Sequence, residues 1–174
     1  VTIKADKKQS LKVIINVLDR TLPTPDKWKF DLDLWQHPAA IARVHKVELW
    51  SDEHFEKMRP YYTMLANAGQ KCITTSIMHE PWGHQTYDDF PSLIKWVKKK
   101  DGSWQYDYSL FDKYVSFVMS CGITKRINCY SMVPWKLSFQ YYDENLSKNS
   151  ELVAKIGSDE YNIFWTSMIK DFTK

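Results

Sequence analysis

Three short runs of this chain end in residues suited to gripping a sugar: LDLWQHP (32–38), SIMHEPW (76–82) and CYSMVPW (129–135). In each, an apolar stretch of strand length reaches a Pro beside or near a Trp. Proline has no N–H to give to a sheet ladder, so it marks where a strand stops. Past those stops stand Trp35, His37, His79, Glu80, Trp82 and Trp135. If the strands run side by side in one direction, their tips share a rim. The faces of indole rings accept the C–H groups of a sugar's apolar side, while His79 and Glu80 offer hydrogen bonds to its hydroxyls. The plainer reading makes the tryptophans plugs of a core layer and Glu80 a brace for loop backbone.

Other carboxylates have structural explanations to exhaust first. Asp31 and Asp33 fall on the same face of their run as Trp35, opposite Phe30, Leu32 and Leu34. Two like charges one pleat apart in an interior need Arg, Lys or backbone donors. Adjacent Asp–Glu pairs occur at 52–53, 143–144 and 159–160. The first and last open predicted helices, where acids favour the dipole. Asp143 and Glu144 follow Tyr141 and Tyr142 in a predicted loop on the rim side, where ligand contact is their candidate role. His37, His79 and His84 match no zinc-binding spacing, so no metal and no cofactor is expected.

The elements that must position these residues alternate. LKVIINVLD (11–19) reads as a strand, and TLPTP (21–25) as a linker. From Trp28 onward the order is strand, helix, strand, helix, strand, helix. The strands are WKFDLDLW (28–35), KCITTSIMH (71–79) and RINCYSMV (126–133). The helices start near Asp52, Ser109 and Ser158; the first is stopped by Gly69 and carries Pro60 inside it, predicting a kink or a late start. LIKWVKKKDGSWQYDY (93–108) reads as a hairpin turning at Asp101-Gly102. Long connections leave the strand tips (36–51, 80–108 and 134–157) and short ones return. Such alternation implies βαβ units and a parallel sheet with its site at the strand C-termini. The expected fold is α/β: the first three units of a (β/α)8 TIM-type barrel, in residues 26–174, preceded in 1–25 by the end of a β-sandwich domain and a linker. A closed barrel needs eight units and about 250 residues, so the chain is expected to hold part of one.

Composition narrows the function. The 174 residues are 44% hydrophobic and 15% aromatic, with eight Trp and ten Tyr, more than a core of this size uses. The formal net charge of +3 comes from 24 basic and 21 acidic residues well mixed along the chain, which argues against a nucleic-acid surface. Lys98, Lys99 and Lys100 read as part of a solvated turn. No apolar stretch approaches the roughly 20 residues of a membrane span. Cys72, Cys121 and Cys129 have no metal-binding spacing and read as buried free thiols.

The blocks FDLDLWQHPAAIAR, VELWSDEHFEKMRPYY, AGQKCITTSIMHEPWGHQTYDDF, DGSWQYDYSLFDKYV and INCYSMVPW, with FQYYD after them, resemble glycoside hydrolase family 123 and a related bacterial domain of unknown function. The resemblance covers roughly residues 20–174. It implies an N-terminal β-sandwich followed by a (β/α)8 barrel, a bacterial secreted or periplasmic setting, and retaining exo-β-N-acetylgalactosaminidase action by substrate assistance. In that chemistry the sugar's 2-acetamido oxygen attacks the anomeric carbon; an Asp steadies the acetamido group and the adjacent Glu is the acid and then the base. The resemblance places that Asp–Glu pair at the fourth barrel strand, expected beyond Lys174, so no catalytic residue is assigned within this chain. Carried over as substrate-binding are Trp35, His79, Glu80, Trp82, Tyr130 and Trp135. A glycan or N-acetylhexosaminide is the expected partner. A non-catalytic carbohydrate-binding domain, or an inactive piece that self-associates, is the alternative. An open half-barrel would expose a sheet edge and an apolar helix face, so a homodimer or association with the rest of the barrel is expected too.

Overall fold

The computed structural model describes residues 2–3, 6, 9–10 and 12–174. β1 (Thr2–Ile3) and β2 (Gln9–Ser10) pair antiparallel. The strand expected over 11–19 does not form over its described part; Leu11 lies outside the described residues. Val13, Ile14, Ile15, Val17 and Leu18 are all exposed. Strand propensity reflects fit to a half-buried pleated surface, and among the described residues nothing pairs with this stretch.

The run 28–35 is also not a regular strand. It makes a single parallel bridge, Leu32 to Gln70, with Lys71 N–H donating to Leu32 O at 2.9 Å. Two glutamine side chains supply what a ladder would otherwise give. Gln70 Oε1 accepts from Leu34 N (2.9 Å), and its Nε2 donates to Leu34 O (3.1 Å) and Cys72 O (2.8 Å). Gln36 Oε1 accepts from Thr74 N at 2.8 Å, and its Nε2 donates to Leu34 O and to Cys72 O. Both glutamines are buried, so these bonds satisfy backbone groups that water does not reach.

α1 (Pro38–His45) was not anticipated. It opens on a proline, whose missing N–H costs nothing in a first helical turn. α2 (Asp52–Asn67) starts at the predicted place, with Ser51 Oγ accepting from His54 N at 3.1 Å, and it continues through Pro60. Its buried face is Phe55, Met58 and Tyr62. The chain then turns at Gly69 (φ +88°), where a Cβ would lie 2.9 Å from Trp28 Cε3, and enters β3 (Cys72–Ser76), buried throughout.

β4 (Lys95–Lys98) and β5 (Trp104–Asp107) form the predicted hairpin. α3 (Ser109–Ser120) follows, with Asp107 Oδ1, rather than Ser109, accepting at its start. β6 (Arg126–Tyr130) pairs parallel with β3, from Cys72–Arg126 to Ser76–Tyr130. The expected loop over 134–157 instead contains a second hairpin, β7 (Ser138–Asp143) and β8 (Lys148–Val153). β7 also pairs parallel with β4, giving a four-stranded sheet in the order β5-β4-β7-β8. α4 (Asp159–Phe172), capped by Ser158, packs on that sheet.

One continuous core joins these layers. Phe55, Met58 and Tyr62 of α2 meet Ile73 and Ile77 and the α3 residues Phe111, Tyr114 and Val118; Trp96 and Phe139 meet Phe164 and Trp165 of α4. The Trp96 and Phe164 rings stack with centroids 4.6 Å apart and planes 1° from parallel. Losing one such ring to Ala typically costs about 3–5 kcal/mol. The fold is mixed α/β with four helices; of the expected barrel, the parallel pair β3-β6 and the bridge to residue 32 are what forms here.

Candidate carbohydrate-binding site

Strand alternation sends Cys72, Thr74 and Ser76 of β3 to the same face as Arg126, Asn128 and Tyr130 of β6. The run 31–35 meets that face in three steps. Asp31 accepts from Arg126 Nη1 and Nη2 at 3.2 and 3.3 Å. Asp33 Oδ2 accepts from Asn128 Nδ2 at 3.0 Å. The Trp35 ring lies 5.3 Å from that of Tyr130. Asp31, Asp33 and Trp35 do share one face, and the partner of Asp33 is an amide where a cation or backbone donor was expected. The alternation Arg126, Asn128, Tyr130 was readable in the third run; which residues it would face was not.

At the top step three rings gather. Trp35 and Trp82 stack at 4.8 Å and 27°, and Tyr130 sits 4.8 Å from Trp82. Phe90 supports Trp82 edge-on at 4.6 Å. Trp82 is only 8% exposed while Trp35 is 55% exposed, so Trp35 is the open ring of the cluster and Trp82 backs it from behind. Burial raises the Tyr130 phenol's pKa, so Tyr130 keeps a neutral hydroxyl at the edge of this platform.

Glu80 performs the bracing role. Its carboxylate is buried, accepting from His84 N at 2.8 Å and from Phe90 N. Its own N–H donates to Phe90 O at 2.9 Å. Glu80, His84 and Gly83 all have positive φ (49°, 63° and 64°), a tight turn that the carboxylate closes from inside. Together they hold Trp82 and Phe90 in place. Glu80, His84 and Asp89 bring metal-ligand-type atoms within 4.8 Å of one another. Both Glu80 oxygens are already on loop amides and the other two residues are exposed, so bracing explains the group.

His37 works on the same loop. It stacks on Phe90 at 3.7 Å, and its Nε2 lies 3.0 Å from Asp88 O. Burial lowers its pKa, so the neutral ring donates to that carbonyl. Arg43 Nε reaches both oxygens of Asp88 at 2.8 Å. The loop 79–92 is thereby pinned to α1, an element the sequence reading did not contain.

The remaining predicted residues separate from the platform. His79 lines a different cleft, on the face of the four-stranded sheet that carries Val97, Gln140, Tyr142 and Asn149. Trp135 is 65% exposed and takes no part in the ring cluster; its N–H donates to Pro81 O at 3.0 Å, and its Cβ lies beside Gly83. Asp143 and Glu144 prove structural: Asp143 ends β7 buried, accepting from Asn145 N and Leu146 N, while Glu144 pairs with Lys99. Lys98 ends β4 and Lys99 pairs with Glu144, while Lys99 O accepts from Gly102 N at 3.0 Å and so opens the expected turn. The pairs 52–53 and 159–160 occupy first helical turns as expected. All three cysteines are free, with Cys72 and Cys121 buried and Cys129 exposed against expectation. No helix of the described residues is long and apolar enough to cross a membrane.

No curated protein matches the chain. Among solved structures, a family 123 glycoside hydrolase from Clostridium perfringens, described for glycolipid glycan hydrolysis, matches with a TM-score of 0.86 and 35% identity. The match covers 90% of this chain and 28% of that one, so this chain spans well under a third of its relative. The sequence profile of the glycoside hydrolase 123 catalytic domain matches residues 35–174, and the chain belongs to glycoside hydrolase family 123.

Proposed function

We propose that this chain supplies the first part of a (β/α)8 catalytic domain, and that its Trp35–Trp82–Tyr130 platform seats the terminal sugar of a β-N-acetylhexosaminide. The observation carrying the reading is that stacked cluster, held by the buried Glu80 turn at the C-terminal tips of two parallel strands. Strand tips are where such folds keep their sites. A flat aromatic face beside a neutral phenol hydroxyl fits an N-acetylated sugar better than an anion.

The reaction proposed is retaining exo-hydrolysis with substrate assistance. The acetamido oxygen attacks the anomeric carbon as the glycosidic oxygen leaves with a proton from a Glu, giving an oxazolinium ion. Water, deprotonated by the same Glu, then opens it. An adjacent Asp steadies the positive charge that develops on the acetamido group. That Asp–Glu pair is proposed to lie past Lys174. Within this chain the residues bind and orient: Trp35 sets the plane of the ring and Tyr130 offers a hydroxyl. His79 and Trp135 remain proposed as outer contacts, and Glu80 as the support of the platform.

The test is release of nitrophenol from p-nitrophenyl N-acetyl-β-galactosaminide by a protein extended past Lys174, with and without Trp35→Ala. Activity that drops at least tenfold in the variant supports the reading. No release, or full activity without Trp35, refutes it. Trp35, Trp82 and Tyr130 all lie in this chain, which supports a binding-only role as the second reading; tryptophan quenching by N-acetylgalactosamine with no hydrolysis by the extended protein would establish that role instead.

A further inference from the structure

Four rings form a line from the start of α1 to the open tryptophan. His37 stacks on Phe90 at 3.7 Å and 26°, Phe90 meets Trp82 edge-on at 4.6 Å, and Trp82 stacks on Trp35 at 4.8 Å. Phe90 and Trp82 are buried; His37 is the link that can change its charge. It directly precedes α1, and its Nε2 lies 3.0 Å from Asp88 O and 3.1 Å from Thr86 Oγ. A carbonyl oxygen only accepts, so Nε2 carries the proton and Nδ1 the lone pair. Nδ1 is buried and has no partner among the described residues.

That orphaned lone pair sets the consequence of acid. A proton on Nδ1 makes a second N–H with no acceptor, and a buried donor left unpaired is destabilising. The stack on Phe90 could accept a charge; the extra N–H has nowhere to go. Releasing the ring to water relieves this, at the loss of the bond to Asp88 O and of the support under Phe90. The charges around the ring act in both directions. Glu80 and Asp88 on the loop favour a protonated ring, Arg43 of α1 opposes it, and burial outweighs them. Both carboxylates are engaged, Asp88 with Arg43 Nε and Glu80 with the amides of His84 and Phe90. His84 has the opposite tendency: its Nδ1 is 3.5 Å from Glu80 and from Asp89, so its protonation would tighten the turn. From α2, His54 holds Pro38 O beside His37, and β3 brings only uncharged side chains.

We propose that His37 is a positioning residue whose neutral ring latches the loop 79–92 to α1, so that acid frees the loop, withdraws Trp82 from behind Trp35 and weakens the sugar seat. The effect on sugar rests on the platform being that seat; the latch itself does not. His37 touches no sugar in this scheme and acts through Phe90 and Trp82 alone.

The experiment follows the chain by NMR from about pH 7.5 to 5, reading the His37 ring nitrogens, the Trp82 indole N–H and the Phe90 amide. N-acetylgalactosamine affinity, from tryptophan quenching, is measured alongside. The Trp82 and Phe90 signals are expected to move with the midpoint of His37, not that of His84 or His54, while far-ultraviolet circular dichroism holds. One pKa unit between held and released rings is a tenfold change in their ratio, so affinity is expected to fall about fivefold across the range. His37→Gln keeps a donor for Asp88 O and cannot titrate, so its affinity should start within about twofold of the parent's and stay level in acid. An equal fall in the variant, Trp82 and Phe90 signals that ignore His37, or loss of the whole dichroism signal at the same midpoint overturns the latch. Should the variant fail to fold, the parent's three NMR signals decide. Absence of sugar binding at every pH overturns the platform, and those same signals still decide the latch.

Discussion

Replacing Glu80 by Ala separates a brace from a ligand contact. The carboxylate closes its turn through two charge-assisted hydrogen bonds, from His84 N and Phe90 N. Hydrogen bonds to an ionised group contribute about 1.5–3 kcal/mol each, and removing a buried acceptor leaves its donors unpaired. Because Glu80 is only 8% exposed, Glu80→Ala should cost about 3–5 kcal/mol. Glu80→Gln keeps one acceptor but sets an amide N–H₂ against the other donor, so about half that loss is expected. Urea unfolding followed by far-ultraviolet circular dichroism gives both numbers. Sugar affinity should fall in parallel, since Trp82 and Phe90 lose their support. The reasoning is refuted if Glu80→Ala unfolds within about 0.5 kcal/mol of the parent while losing sugar binding, for then the carboxylate acts on the ligand and not on the loop.

Two further outcomes follow from buried polar groups. Tyr62 and Tyr114 share a 2.8 Å hydrogen bond at full burial, and burial holds both phenols above their ordinary pKa; Tyr114→Phe should cost about 1–3 kcal/mol, and the double Phe variant less than the sum of the singles, with strict additivity in urea melts counting against the pair. His54 donates Nε2–H to Pro38 O at 3.0 Å and accepts from Trp50 N at 3.1 Å, and burial lowers its pKa as it does that of His37. The folded state then binds fewer protons than the unfolded one below the ordinary value of about 6.5. Stability should be full above that pH and decline as the solution is acidified through it; a urea midpoint that holds constant from pH 7.5 to 5 would contradict this.

The parts of the fold legible in sequence were those with local signals. Ser51 and Ser158 announced helix starts, Gly69 a stop, and Asp101-Gly102 a hairpin turn. Parallel neighbours bring strand tips together, which puts Trp35, Trp82 and Trp135 on one expected rim; Trp35 and Trp82 do meet there, Trp135 does not, and Tyr130 enters only through the family resemblance. What failed to show depended on partners far along the chain. The stretch Val13 to Leu18 has strand-forming side chains and nothing to pair with among the described residues. The β7-β8 hairpin carries a strand pattern, with Phe139, Tyr141 and Asp143 alternating with Gln140 and Tyr142, but the strand that anchors it in the sheet is distant: Tyr142 pairs with Val97, 45 residues upstream. For Glu80 both a sugar contact and a loop brace are open in sequence, because sequence does not tell which way a carboxylate turns; its bonds to His84 N and Phe90 N favour the brace. His79 lines another cleft, away from the ring cluster.

The paired amides of Gln36 and Gln70 also bear on how this protein tolerates change. An ordinary ladder is indifferent to side-chain identity, so a slip by one position can re-form most of its bonds. Here the alignment of residues 32–36 against 70–74 is written in two specific side chains, each reaching past its own backbone to the other segment. Sliding either segment by one position would turn those amides to the opposite side and strand several peptide groups at once. The seam therefore has one preferred alignment, and that alignment is what delivers Trp35 to Trp82 and Tyr130.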